Sequence, residues 1–324
     1  LLSAFLLYPL MAQKSVKTDK HVVYQMMFHL WGNQQAEVKR NGSAAENGVT
    51  KFKDVSLKGL KALKKKGYSH LYTTGILEHA TMEDFSSHGS PLDHPQVVKG
   101  RAGSPFAIKD YYDVNPFLSD KPTERLQEFS EMLDRIHASD LKLVLDFIPN
   151  HLARAYSSDQ KTAGVVDFGQ NDNKDISFSA ANNFYYLPGT QFTIPTGVHP
   201  PIPVTVPYIE IPAKVSGNNV FSAQPSINDW FETVKLYYGV DIQHGNVNHF
   251  DPIPDTWLKM TDVLLYWTQK GVDGFRCDMA EMVPVEFWAY AIPKVKAINP
   301  EVVFIAEIYN PAEYRNYIFK GGFD

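Results

Sequence analysis

The sequence predicts an α/β fold, a barrel of parallel strands alternating with helices, eight strands in its closed form. Three observations predict it. Short apolar runs that read as buried strands alternate along the chain with amphipathic stretches of helix length. No Gly-rich phosphate fingerprint follows the first strand, which argues against a dinucleotide fold. Polar residues able to do chemistry cluster at the C-terminal ends of the apolar runs, where such barrels carry their active sites. The 324 residues, 44% hydrophobic and 21% charged, suffice for one large barrel or two smaller domains.

Taken in order, residues 1–12 form an apolar run of signal-peptide length, too short to span a bilayer. They read as the remnant of a secretory signal, with a linker over 13–20, and so predict a secreted or periplasmic protein. A buried N-terminal helix is the plainer alternative. Residues 22–31 read as the first strand. Residues 56–66 form a helix, with Leu57, Leu60 and Leu63 on one face and five lysines on the other, and Gly67 stops it. Residues 68–76 are the second strand, followed by a loop region to about Pro116. Residues 123–139 are amphipathic, with Leu126, Phe129, Leu133 and Ile136 at helical spacing. Residues 141–148 are an almost continuous apolar run, as expected of a parallel strand buried on both faces. The insertion over 152–254, about a hundred residues, is too long for a plain loop and reads as an excursion walling one side of a cleft. A helix over 255–270, a strand over 272–278, a helix over 283–298 and a strand over 302–308 follow. That makes five strands over residues 21–324, so the expectation is a barrel truncated before its remaining strands.

Asp278 ends the fourth strand and Glu307 the fifth. Neighbouring strands lie roughly 4.8 Å apart, and retaining glycosidases need two carboxyl groups about 5–5.5 Å apart. The spacing suits a nucleophile and an acid acting on a sugar. Arg276 lies two residues before Asp278, on the same side of the strand, where it would hold Asp278 ionised. Glu307 would be the general acid, so its surroundings should raise its pKa. His151, past the third strand, would donate to a sugar hydroxyl, and Asp146 would brace the site from below. The bland alternative is an Arg276–Asp278 ion pair that merely ties strands together. The lone cysteine, Cys277, alternates away from Asp278 and reads as core rather than nucleophile. A net charge of -5 and a pI near 6.1 give no reason to expect a nucleic-acid partner.

These segments resemble the ordered sequence regions of the α-amylase superfamily of glycoside hydrolases, family 13. Residues 146–151 (Asp-Phe-Ile-Pro-Asn-His), 274–278 (Gly-Phe-Arg-Cys-Asp) and 306–307 (Ala-Glu) are similar to three of them, in the same order. The resemblance implies a TIM barrel with a domain-B-like insertion after its third strand. It implies Asp278 as nucleophile, Glu307 as acid/base, and Arg276 and His151 as supports, on an α-glucan or maltooligosaccharide substrate. Phe106 would stand where an aromatic stacks on the sugar, in a segment that also supplies Tyr111 as a substrate-side residue. Asn150 would be a ligand for a structural calcium ion, the chemistry itself needing no cofactor. A third carboxylate of the family would lie beyond residue 324. Met-Ala-Glu-Met at 279–282 departs from the Lys-His of typical endo-acting members.

The leading reading is a retaining hydrolase of α-glucosidic bonds. A transglycosylase would use the same residues, differing in water access. A silent binding member would be expected to have lost the carboxylates. A metal-dependent amidohydrolase would need a His-x-His pair on an early strand, where His29 stands alone.

Overall fold

Residues 20–324 are described by the structure, a computed structural model. The signal remnant over 1–12 and the linker up to residue 19 lie outside the described residues. Five strands form one parallel sheet: β1 (Val23–Met27), β2 (His70–Thr74), β3 (Lys142–Phe147), β4 (Gly274–Cys277) and β5 (Val303–Ala306). Their order in the sheet is their order in the chain. A sheet that adds each strand beside its predecessor winds one way, as a barrel does; a dinucleotide fold reverses at a switch point. Helices α1 (Leu57–Lys65), α2 (Arg125–His137), α3 (Asp255–Gln269) and α4 (Val285–Ile298) fill the crossovers. Ser56 caps α1 by accepting from the Gly59 amide, and Leu60 is buried while the lysines face water.

Strand parity divides the sheet into two faces. Phe147, Phe275 and Phe304 pack on one face, with ring centroids 6.2 Å and 5.5 Å apart in turn, and Phe147 meets Trp288 of α4. Cys277 shares this core and is fully buried, so its thiol is held far from thiolate character. The alternate residues, among them Asp146 and Arg276, face the other way.

Two segments differ from the sequence reading. The first strand ends at Met27, because Phe28–Leu30 turns into a 3-10 helix, and β1 lies at a sheet edge with Val23 and Met27 exposed. The stretch expected to be loop up to Pro116 contains an antiparallel hairpin, Leu77–His79 with Ile108–Val114. All seven residues of its long strand are buried although three are charged. Arg125 lies 2.7 Å from Asp113 and Lys109 lies 3.1 Å from Asp93, while Asp110 accepts from the backbone amides of Tyr112 and Asp159 at 2.7 and 2.9 Å.

The excursion between β3 and α3 carries short antiparallel pairs of its own. His151–Ala153 pairs with Thr233–Lys235, Tyr186–Leu187 with Ala213–Lys214, and Val240–Asp241 with Val247–Asn248. The first pairing brings residues 230–235 back to the end of β3. Among the described residues, no helix is long and apolar enough to cross a membrane.

Candidate active site

Register places the reactive groups. Arg276 pairs with Asp146 on one side and with Ile305 on the other, while Cys277 pairs with Ala306. One step further, Asp278 and Glu307 therefore stand side by side just past their strands. The ladder continues through them: the Asp278 amide donates to Phe147 O at 2.8 Å, and the Glu307 amide to Cys277 O at 3.1 Å.

Arg276 binds three carboxylates with one guanidinium. Its Nη1 lies 3.0 Å from Asp146 Oδ1 and 2.8 Å from Asp278 Oδ1, and its Nη2 lies 2.6 Å from Glu307 Oε1. Tyr72 donates to Asp146 Oδ2 at 2.9 Å. Asp146 is thus held beneath the site and does not line the cavity, its oxygens being spent on Arg276 and Tyr72 rather than on a ligand. Met279 adopts a left-handed backbone, φ 46°, uncommon for a residue with a side chain. That turn aims its amide at Glu307 Oε2, 2.8 Å away. Tyr309 donates to Glu307 Oε1 at 3.2 Å.

Charge balance departs from the expectation. Burial works against Arg276, yet Asp146, Tyr72 and Asp278 hold its pKa above the ordinary guanidinium value. Asp278 is pushed up to about 7, first by burial and then by the charge of Asp146, with Glu307 adding to it and Arg276 opposing. Arg276 was expected to hold Asp278 ionised, yet burial and the neighbouring Asp146 outweigh it, Asp278 being the more buried of the two strand-end carboxylates.

These groups open into a cavity of about 360 Å³. Arg276, Asp278, Met279, Glu307 and Tyr309 line one side. Phe106, Ser104 and Lys99 come from the hairpin segment, and Trp230, Glu232 and Thr233 from the excursion. Lys99 Nζ meets Glu232 Oε2 at 2.9 Å, so an ion pair joins the two walls. His151 also lines the cavity, 5.0 Å from the Trp230 ring. Burial, then Lys235 and Lys99, push its pKa down to about 3, so it stays neutral.

Of the residues singled out in the sequence, Asp278, Glu307, Arg276, His151 and Phe106 meet at this cavity. Tyr111 does not: it is fully buried, and its hydroxyl donates to the carbonyls of Ile148 and His151 at 2.6 and 3.0 Å. It supports the loop that carries His151 rather than a ligand. Asn150 is buried behind His151. Its Nδ2 donates to Gly217 O at 2.9 Å and lies 3.0 Å from His151 Nδ1. Its Oδ1 accepts from Lys235 Nζ, which also donates to Met282 O at 3.0 Å.

This arrangement does not fit a calcium ion at Asn150. Calcium takes six to eight oxygens, and the oxygen Asn150 would offer already faces an ammonium. Burial alone pushes the Lys235 amine down to about 7, and the two carbonyl oxygens facing it favour the charged form. Among the described residues, the carboxylates of Glu78, Asp110, Asp113 and Asp159 converge closely enough for an ion.

Sequence reading gave no role to Lys99, Ser104, Trp230, Glu232, Thr233 or Tyr309, and met Met279 only within the departing Met-Ala-Glu-Met segment. Tyr309 was within reach, lying two residues past Glu307 and so on the same side. Lys99 and Glu232 carry no such signal, because loops set their positions.

Comparisons with known proteins give the family and the fold. Residues 60–313 match the family model for the α-amylase catalytic domain. An α-1,4-glucan:maltose-1-phosphate maltosyltransferase from Cereibacter sphaeroides is 34% identical over 71 residues, 22% of this chain and 12% of that protein. An α-amylase from Dictyoglomus thermophilum is 22% identical over 219 residues, 64% of this chain and 34% of that protein. Among solved structures, the acarbose-soaked debranching enzyme of Nostoc punctiforme superposes with a TM-score of 0.55 at 18% identity, over 94% of this chain and 52% of that one. The likeness shows a TIM-barrel-like α/β fold. The chain spans about half of that structure and smaller shares of the two sequence relatives.

Proposed function

The chain belongs to the α-amylase family, and on that premise we propose that it is a retaining glycoside hydrolase of α-glucosidic bonds in starch-like α-glucans or maltooligosaccharides. The observation that carries this reading is the single guanidinium shared by Asp278 and Glu307 at a cavity walled by Phe106 and Trp230.

In the first step Asp278 Oδ attacks the anomeric carbon as the glycosidic C–O bond breaks. Glu307 passes its proton to the departing oxygen. The sugar is then an ester of Asp278. In the second step Glu307 takes a proton from water, whose oxygen attacks the same carbon and releases Asp278. Two inversions return the α-configuration. Arg276 stabilises the carboxylate that leaves in the second step, and neutral His151 can donate to a sugar hydroxyl. The chemistry asks for no cofactor. Before the first step the proton must sit on Glu307 rather than Asp278. Burial pushes the pKa of Asp278 up in the free site, so its ionised form, the nucleophile, gains as pH rises toward 7.

The short matches to maltosyltransferases favour a second reading, a transglycosylase that hands the sugar to an acceptor hydroxyl instead of water. A 5-fluoro-α-glucosyl fluoride should leave a covalent sugar on the peptide that contains Asp278, detected by mass spectrometry. Turnover without that label, or with it on another residue, would sink the nucleophile assignment. Products from maltoheptaose, followed by NMR, separate the two readings: shorter α-anomers mean hydrolysis, and longer chains mean transfer. Phosphate release from maltose 1-phosphate with chain growth would favour the transferase.

A further inference from the structure

We infer that Lys235 is a built-in cation: its side-chain nitrogen takes the place a divalent metal would hold at Asn150 and, by fixing the Asn150 amide, sets which nitrogen of His151 carries the proton toward the cavity.

The chain of contacts leaves little freedom. A lysine ammonium donates and cannot accept, so the Asn150 atom facing Lys235 Nζ is its oxygen. On the other side, Nδ2 faces the Gly217 carbonyl, which can only accept. Both faces agree on one orientation of the amide. Nδ2 then has a second hydrogen for His151 Nδ1, 3.0 Å away. A neutral imidazole that accepts at Nδ1 carries its proton on Nε2. Asn150 and His151 are 0% and 3% exposed, so no solvent competes for these bonds.

The sequence builds this arrangement with residues far apart in the chain. Lys235 ends the excursion strand that pairs with His151–Ala153, and Lys235 is directly opposite His151. Gly217 is needed as glycine: a Cβ there would come within 2.9 Å of His151 Cβ and 2.4 Å of Thr233 Oγ1. Lys235 also donates to Met282 O, in the turn that follows Asp278. One amine thus joins the excursion, the end of β3 and the turn after β4, an oxygen-rich junction that elsewhere would suit a hard cation. Lys235 is a positioning residue and touches no substrate.

The tautomer can be read without any sugar, so its outcome is separate from the proposed hydrolase activity. The consequence for sugar binding alone rests on that reading. In full-length protein labelled with ¹⁵N-histidine, the two-bond ¹H–¹⁵N spectrum, assigned with His151→Gln, should show the His151 proton on Nε2. Asn150→Asp keeps an acceptor for Lys235 but removes the donor, so the proton should move to Nδ1. Any effect of EDTA or of added calcium chloride on thermal unfolding should be the same in the wild type and in Asn150→Ala. A His151 proton on Nδ1 in the wild type overturns the proposal whether or not any variant folds. So does calcium-dependent stabilisation that Asn150→Ala abolishes.

Discussion

The floor and the walls of the cavity hold charges by different means. On the floor, one guanidinium serves Asp146, Asp278 and Glu307, all placed by the ends of adjacent strands. Three carboxylates against one cation leave the floor short of positive charge, so a proton is drawn in near neutrality. On the walls, Lys99 and Glu232 balance one to one, and the Lys99 side chain is 38% exposed. The floor therefore concentrates unbalanced charge where bonds are to be made. The walls are closer to electrostatic rest and supply shape. Rigid strands fix groups whose chemistry tolerates little displacement, while loops supply recognition.

Charge-removing substitutions on the floor should break activity most and cost stability least. Asp278→Asn should lower kcat by more than about 10⁴-fold, the scale of losing a covalent nucleophile. The same variant should unfold at an equal or higher temperature. Asp278 has a folded pKa raised from 3.8 to about 7, so keeping it ionised in the fold costs stability above that range. Its protonated form contributes stability at low pH that is lost as pH rises toward 7. The gain in Tm from Asn should be absent below pH 3.8, grow up to about pH 7, and then level. A uniform loss of Tm would contradict this account of the floor. Glu307→Gln should cost on the order of 10²–10⁴-fold on maltooligosaccharides and much less on activated aryl glucosides, which need little acid assistance.

A milder change should shift the floor rather than break it. After burial, the charge of Asp146 raises Asp278 most. Activity requires Asp278 ionised, so kcat/KM in the wild type should rise with pH through about 7. In Asp146→Asn that acid limb should move to lower pH. A limb that stays in place would mean that another group sets it.

The same contrast explains what could be read from sequence. Strand parity and register are periodic rules, so Arg276, Asp278 and Glu307 were legible as a group, and Cys277 as core. The buried hairpin was not legible: Ile-Lys-Asp-Tyr-Tyr-Asp-Val looks like surface, since no local pattern shows that Lys109 and Asp113 pair with Asp93 and Arg125 and that Asp110 is held by backbone amides. Tyr111 was hidden by the same hairpin. Asn150 was misjudged because nothing local reveals that Lys235, 85 residues on, faces it. The pKa push on Asp278 depends on relative burial, which no motif encodes.

The walls offer the smallest effect and the sharpest contrast. Glu232 is nearly buried, its side chain 6% exposed, whereas Lys99 reaches solvent. Removing either partner breaks the same ion pair, but the groups left behind differ. Glu232→Gln leaves a lysine that can turn to water, and should cost about 0.5 kcal/mol or less. Lys99→Met leaves a carboxylate enclosed beside Trp230 and Phe231 without its cation, and should cost more, about 1–2 kcal/mol once its residual access to water is allowed for. Thermal or urea unfolding of both variants and the double variant checks this. The double variant should recover part of the Lys99→Met loss, since the stranded charge is gone. Either kcat should stay within about threefold of the wild type, since neither residue is within the reacting group set on the floor. Equal costs for the two single variants would show that Glu232 is better solvated than its burial implies and that the contrast between floor and walls does not rest on stranded charge.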